Sequence, residues 1–174
     1  MKLKFIIAGF GGQGILSLGK IIARAAIKEN KFASFMPSYG AEMRGGTANC
    51  KVIISSQEIA SPYINHPDVL IVFNQPSWDK FRPKLKRQSL VLLNSSLADF
   101  SPSYHIRVIA CPFTQVAREL GMEKVANVIV LGRLWREIKF VKELTLKETI
   151  EEYFSFRRDI ALKNLEALAR GKEL

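Results

Sequence analysis

Gly9-Phe10-Gly11-Gly12-Gln13-Gly14 stands between an apolar run, Leu3 to Ala8, and an amphipathic one, Ile15 to Lys28. The three segments read as strand, glycine-rich turn and helix, the opening unit of an α/β fold. Glycines admit positive φ and close backbone approach, and the first free N–H groups of the following helix point outward with the positive end of its dipole. Gly9, Gly11, Gly12, Gln13 and Gly14 are therefore read as an anion or phosphate site, or as a tight subunit contact. Residues 9, 11 and 14 also satisfy G-x-G-x-x-G, after a strand and before a helix, as a dinucleotide site requires. Such a site places an acid at the end of the second strand, about 20 residues on. Ala33-Ser34-Phe35-Met36-Pro37-Ser38 contains none, which argues against NAD. A purely structural reading also stands, in which the glycines let the helix pack closely on the strand.

Working outward, Lys2–Ala8 is a buried first strand, and Ile15, Leu18, Ile22 and Ala26 recur at helical spacing as a core-facing stripe. Lys20, Arg24 and Lys28 fall on another face, solvated or partner-facing. Strands are expected at Phe32–Met36, broken by Pro37, and at Thr47–Ser55, Asp68–Phe73, Leu90–Leu93 and Ile106–Ala110, with a helix over Ser77–Lys86. The final third reads as helical. Pro112 opens a helix to Leu120 that Gly121 stops, and Lys124–Ile138 is a buried central helix. Thr145 and Glu148 form a T-x-x-E capping box for a helix through Phe154, and a last helix from Arg158 to Arg170 ends at Gly171. The expected fold is one α/β domain over 1–174, a three-layer α/β/α arrangement with a largely parallel or mixed sheet and a helical C-terminal third.

The formal charge is 26 − 16 = +10, which favours an acidic partner, a nucleotide or a neighbouring subunit, or describes a Lys-rich solvated surface. The basic residues do not interleave with aromatics as a stacking platform would, so nucleic acid ranks last. Cys50 and Cys111 are isolated, as are His66 and His105, so no metal site, no iron–sulfur cluster and no catalytic triad is expected on this chain, and a reducing, cytoplasmic compartment is. The glycine turn interrupts the first apolar region too early for a signal peptide, and no later run is long enough for a membrane span.

A second polar loop, Pro37-Ser38-Tyr39-Gly40-Ala41-Glu42-Met43-Arg44-Gly45-Gly46-Thr47, sets an aromatic, an acid and an arginine among three glycines. In a parallel sheet it leaves the second strand near the end of the first, so both glycine loops face one crevice. Arg44 can fork onto a phosphate or carboxylate, with the glycine N–H groups lined up as a nest; the alternative is an Arg44–Glu42 ion pair that fixes the loop. Tyr39, Gly40, Glu42, Arg44, Gly45 and Gly46 join the candidate site. Asn127, polar within an apolar helix, is a further candidate, since a buried amide needs partners, or else it ties down a neighbouring loop.

GFGGQG followed by SYGAEMRGGTANC resembles the gamma subunit of the thiamine-diphosphate-dependent 2-oxoacid:ferredoxin oxidoreductases. The likeness runs on through Ile59-Ala60-Ser61-Pro62, Asp68-Val69-Leu70-Ile71 to Asn74, Asn94-Ser95-Ser96, Lys124-Val125-Ala126-Asn127 with Leu131-Gly132, and Asn164 with Ala167-Leu168. The EMRGGTANC form is most similar to the 2-oxoglutarate branch; pyruvate and branched-chain 2-oxoacid enzymes share much of the pattern. Ala41 stands where a proline is usual, and Met122 where an asparagine is common. The resemblance implies a non-redox subunit of a complex that turns a 2-oxoacid and coenzyme A into an acyl-CoA and CO₂, with electrons passing to ferredoxin. It implies no cofactor bound by this chain alone, thiamine diphosphate and iron–sulfur clusters on the alpha, beta and delta or ferredoxin-like subunits, and coenzyme A as co-substrate. The isolated chain is then expected to expose an apolar patch that drives homodimer or hetero-oligomer formation. A stand-alone nucleotide-binding module, monomeric and binding its ligand unaided, is the competing expectation.

Overall fold

The structure, a computed structural model, describes residues 1–38, 47–99 and 106–174. Tyr39, Gly40, Glu42, Arg44, Gly45 and Gly46 of the second loop, and His105, lie outside the described residues. The elements run β1 (Lys2–Phe10), α1 (Ile15–Lys28), β2 (Phe32–Ser38), β3 (Thr47–Ser55), β4 (Val69–Val72), α2 (Gln75–Phe81), β5 (Leu90–Asn94), β6 (Arg107–Cys111), α3 (Phe113–Glu119), α4 (Ala126–Ile138), α5 (Glu143–Tyr153) and α6 (Arg158–Glu173).

The strands form one sheet in the order β2-β3-β1-β4-β5-β6. β1, β4, β5 and β6 are mutually parallel, whereas β3 runs antiparallel to both of its neighbours, β1 and β2. The mixture has a simple cause. Residues 39–46 are too few for the crossover of a dozen or more residues that a parallel return needs, so β3 comes back antiparallel. β2 therefore runs the same way as β1, with β3 between them.

Alternation along β1 divides the core. Phe5 and Ile7 face a layer built by α1, α3, α4, α5 and α6, while Ile6 and Ala8 face Trp78 and Phe81 of α2 together with Ile64. Both sheet faces are thus buried, which explains why Val69–Val72 and Leu90–Leu93 read as continuous apolar runs. The three layers are unequal, with five α-helices on one side and one on the other among the described residues.

Several local expectations shift. β1 continues through Gly9 and Phe10, and β2 runs through Pro37, which an edge strand tolerates because its missing N–H lies outside the ladder. α2 ends at Phe81 and passes into a 3-10 turn at Arg82–Lys84, since Pro83 has no N–H to continue the α pattern. A 3-10 turn at Glu123–Val125 likewise precedes α4. Thr145 is not a cap; it lies inside α5, whose N-terminus is served from outside by Glu29, the Lys142 N–H donating to its Oε1 at 2.5 Å. Gly171 does not stop α6, which continues to Glu173. It is there for packing: a Cβ on it would run into the backbone of Ile129 in α4, with the carbonyl carbon at 2.8 Å.

Candidate functional site

The glycine turn sits at the C-terminal end of β1, where the sheet changes direction of winding. From β1 the chain goes to β2 and β3 on one side, then crosses to β4 on the other. The ends of parallel strands flanking such a switch splay apart and leave a crevice.

The turn is closed by its own residues. The Phe10 N–H donates to Gln13 Oε1 at 2.6 Å and the Gln13 N–H to the Phe10 carbonyl at 3.3 Å. Gln13, a candidate for ligand contact, thus spends its side-chain oxygen on the turn. Gly9 is a packing glycine, since a Cβ there would meet Phe73 Cβ at 2.8 Å. Gly12 and Gly14 have φ of 89° and 72°, in the left-handed region that favours glycine. Among the described residues, no heavy atom lies within 4 Å of where a Cβ on Gly11 or Gly12 would stand.

Gly14 is the N-cap of α1, and neither a side-chain cap nor an acid in the first turn answers the free N–H groups there. Among the described residues, the positive end of the helix has neither a side-chain cap nor a first-turn acid to offset it. Gly14 is also tied to α4. Asn127, 4% exposed, donates from Nδ2 to the Gly14 carbonyl at 3.1 Å, and its Oδ1 is buried with no partner. Asn127 thus ties α4 to the glycine turn, and its Oδ1 has no partner among the described residues.

Cavities flank the turn on either side. One of about 300 Å³ lies between Gly12, Gln13 and Phe73 on one wall and Thr114, Lys124 and Ala126 on the other. The other, about 330 Å³ and mainly apolar, is lined by Phe10, Gly11, Gly12, Leu16 and Ala48. Its exposed aromatic, Phe10, pairs with Thr47 across β1 and β3, and Ser38 pairs with Asn49. Both anchors of segment 39–46 are therefore at the same sheet end as Gly9–Gly14, although β3 is antiparallel.

Sequence reasoning passed over Phe73, Thr114 and Lys124 as site residues. Asn94 at the end of β5 fixes Thr114 by a reciprocal pair, Nδ2 to Thr114 Oγ1 at 2.8 Å and Thr114 N–H to Oδ1 at 3.2 Å. At the end of β4, Asn74 Oδ1 accepts the Ser77 N–H at 2.9 Å and so caps α2. The usable signal is position: Asn74 and Asn94 stand at or just past the C-terminal ends of parallel strands, where crevices form.

Burial disfavours the thiolate form of both cysteines. Cys50 is buried on β3, its Sγ donating to the Ile15 carbonyl at 3.5 Å, and burial pushes it up to about 12. Cys111 on β6 is half-buried and raised too, chiefly by desolvation. Two cysteines on separate strands do not fit an iron–sulfur cluster, which needs about four thiolates. Among the described residues, no group of three or more His, Cys, Asp or Glu side chains is placed to hold a metal, and no helix is long and apolar enough to cross a membrane.

Comparison with known proteins places this geometry. A family model described as pyruvate ferredoxin/flavodoxin oxidoreductase matches residues 4–174. The ketoisovalerate oxidoreductase subunit VorA of Methanothermobacter marburgensis is 40% identical over 99% of the chain, which spans 36% of that relative's length. The 2-oxoglutarate synthase subunit KorC of Methanocaldococcus jannaschii is 34% identical, with 100% of the chain matched to 94% of the relative. Among solved structures, the 2-oxoglutarate:ferredoxin oxidoreductase from Magnetococcus marinus, with 2-oxoglutarate, coenzyme A and succinyl-CoA bound, superposes with a TM-score of 0.89 at 28% identity, covering 99% of the chain and 30% of that structure's chain.

Proposed function

The chain belongs to the pyruvate ferredoxin/flavodoxin oxidoreductase family, and from that premise we propose that it is the gamma-type component of a 2-oxoacid:ferredoxin oxidoreductase. The observation that carries the reading is the end-to-end match with a 2-oxoglutarate synthase subunit of nearly the same length. The reaction converts a 2-oxoacid and coenzyme A to an acyl-CoA and CO₂, with electrons leaving to ferredoxin. Thiamine diphosphate and the iron–sulfur clusters are held by the alpha, beta and delta-type partners. 2-Oxoglutarate is the proposed substrate. A branched-chain 2-oxoacid is the second reading, favoured by the 40% identity to a ketoisovalerate subunit.

The chain's own contribution is electrostatic positioning at a surface where subunits meet. The N–H groups at Gly11, Gly12 and the start of α1 supply positive potential, and Arg44, in the segment between Ser38 and Thr47, supplies a guanidinium charge for a coenzyme A phosphate or a substrate carboxylate. A charge-assisted contact of this kind contributes about 1.5–3 kcal/mol, so Arg44→Ala raises the apparent KM for coenzyme A or the 2-oxoacid roughly tenfold or more. The mainly apolar cavity beside exposed Phe10 suits a protein partner.

The test is anaerobic purification of the tagged chain from its own cells, followed by coenzyme A-dependent reduction of an electron acceptor with 2-oxoglutarate, 2-oxoisovalerate or pyruvate. Brown partners with activity on one 2-oxoacid are expected. A colourless single chain that binds a nucleotide unaided overturns the reading.

A further inference from the structure

At the opposite end of the sheet from the glycine turn lies another cavity, of about 290 Å³, walled by Lys4, Tyr63, Asn65, His66, Lys86 and Gln88 among others. It opens where the parallel strands enter the sheet, Lys4 being near the start of β1 and Asp68 directly preceding β4. Lys4 and Lys86 line it, and Lys86 belongs to a strongly basic segment. Residues 80–87 carry Lys80, Arg82, Lys84, Lys86 and Arg87 and no carboxylate. Asp79, just before them, lies 3.9 Å from Arg82.

Lys51 reaches the same region from β3, opposite the fully buried Ile6. Its Nζ lies 6.0 Å from the centre of the Tyr63 ring, and Lys84 Nζ lies 5.9 Å from that of Phe81. Neither ammonium has a carboxylate partner among the described residues. Burial first, and the Lys84 charge second, hold the Lys51 amine below the usual lysine range. The carboxylate on the cavity wall is engaged, Asp68 Oδ2 accepting the Lys4 N–H at 2.8 Å. The His66 ring is oriented by Nδ1, which donates to the Lys84 carbonyl at 3.0 Å.

Lys51 and Lys84, each seated near an aromatic ring of this region and neither facing a carboxylate among the described residues, conflict with the consistency that folding selects, and such conflicts concentrate at functional sites. Grouped ammonium charges beside side-chain amides are phosphate-binding chemistry. We infer that Lys4, Lys51, Lys84 and Lys86, with His66, form a binding site for a diphosphate-bearing small molecule. The site is separated from the glycine turn by the run from Lys4 to Gly9, about 17 Å of extended strand. It does not depend on the role proposed for that turn.

The experiment is a two-dimensional amide NMR titration of the full chain with inorganic pyrophosphate in physiological salt, repeated with ADP. Saturable shifts are expected at Lys4, Lys51, Tyr63, His66 and residues 84–88. ADP binding at least tenfold tighter marks a nucleotide stacked on Tyr63, and equal affinity marks a free polyphosphate. Lys51→Met combined with Lys84→Met weakens binding at least about tenfold, while Lys20→Gln with Lys163→Gln, the same change in net charge placed elsewhere, does not. Without ligand, the Lys51→Met, Lys84→Met protein melts no lower than wild type, because a repulsion has been removed; Lys84→Gln alone serves if the double variant fails to fold. No saturable shift at these amides, shifts confined to residues 11–14, or equal weakening in the control pair overturns the proposal.

Discussion

Replacing Gly14 by alanine tests whether the glycine turn is held by backbone geometry and by Asn127 together. At φ 72°, an alanine incurs the left-handed cost of about 1–2 kcal/mol. Its Cβ would also overlap the Asn127 amide, whose Cγ would be 2.8 Å away. The amide must then leave the Gly14 carbonyl, which forfeits a hydrogen bond with a net value of about 1 kcal/mol. Because Asn127 Oδ1 already lacks a partner, the displaced side chain is buried with none at all, a penalty of about 1–3 kcal/mol. The sum, about 3–6 kcal/mol, is a large part of the roughly 5–15 kcal/mol that stabilises a typical domain. Gly11→Ala is the control: with no heavy atom within 4 Å of its Cβ, it changes stability by less than about 0.5 kcal/mol. Equilibrium urea unfolding followed by circular dichroism measures both. Adding Asn127→Ala to Gly14→Ala removes the overlap, so the pair costs about 1–2 kcal/mol less than the sum of its singles. Equal effects at positions 11 and 14, or strict additivity with Asn127, would refute the reasoning.

Gly171→Ala forces a Cβ against the Ile129 backbone, which cannot yield as a side chain can, and lowers stability by about 3 kcal/mol in thermal melts; an unchanged Tm would show that α4 and α6 are not in such close contact. At Glu29, burial raises the carboxyl pKa, but the Lys142 N–H, Lys31 and Thr145 outweigh it and leave the pKa lowered. A lowered folded-state value stabilises the protein above the unfolded carboxyl pKa, and the contribution disappears as pH falls through the folded value, so Glu29→Gln costs about 1 kcal/mol at pH 7 and nothing in acid; a gap between the two proteins that persists in acid would contradict this. Cys50, pushed up to about 12 by burial, is expected to resist a disulfide-exchange reagent at pH 8 until urea unfolds the chain, so rapid native labelling of Cys50 would exclude its placement.

The elements most legible in the sequence are those in which periodicity and burial agree. α1 runs from Ile15 to Lys28 as its apolar stripe indicates, and Gly121, at φ 70°, follows α3 as a helix stop should. The failures have a common origin in tertiary contact. Gly171 resembles a terminator because its sequence neighbours do not include Ile129, the residue that demands it. Thr145 and Glu148 satisfy a capping pattern, yet a carboxylate from the α1–β2 connection reaches the α5 terminus first. Local motifs specify what a segment can do, and a distant partner decides which option is used.

The site shows the same division between local pattern and topology. Glycine chemistry singled out residues 9–14, but Phe73, Thr114 and Lys124 carry no motif and meet only because β4, α3 and the approach to α4 converge beside β1. Placing both glycine loops at one crevice assumed a parallel return from the second loop. The actual route is different: β2 runs with β1, so it ends at the same edge, and β3, running back, begins there, which puts the anchors Ser38 and Thr47 at the glycine-turn end of the sheet. The eight-residue spacing of 39–46 enforces that hairpin-like return, since it is too short for a crossover. Lengthening the segment with flexible residues would relax the position of Arg44 without moving Phe10 or Thr47, whose pairing belongs to the β1–β3 ladder. Loss of coenzyme A or 2-oxoacid affinity in such an insertion, with stability unchanged, would separate the binding role proposed for the loop from the fold that anchors it.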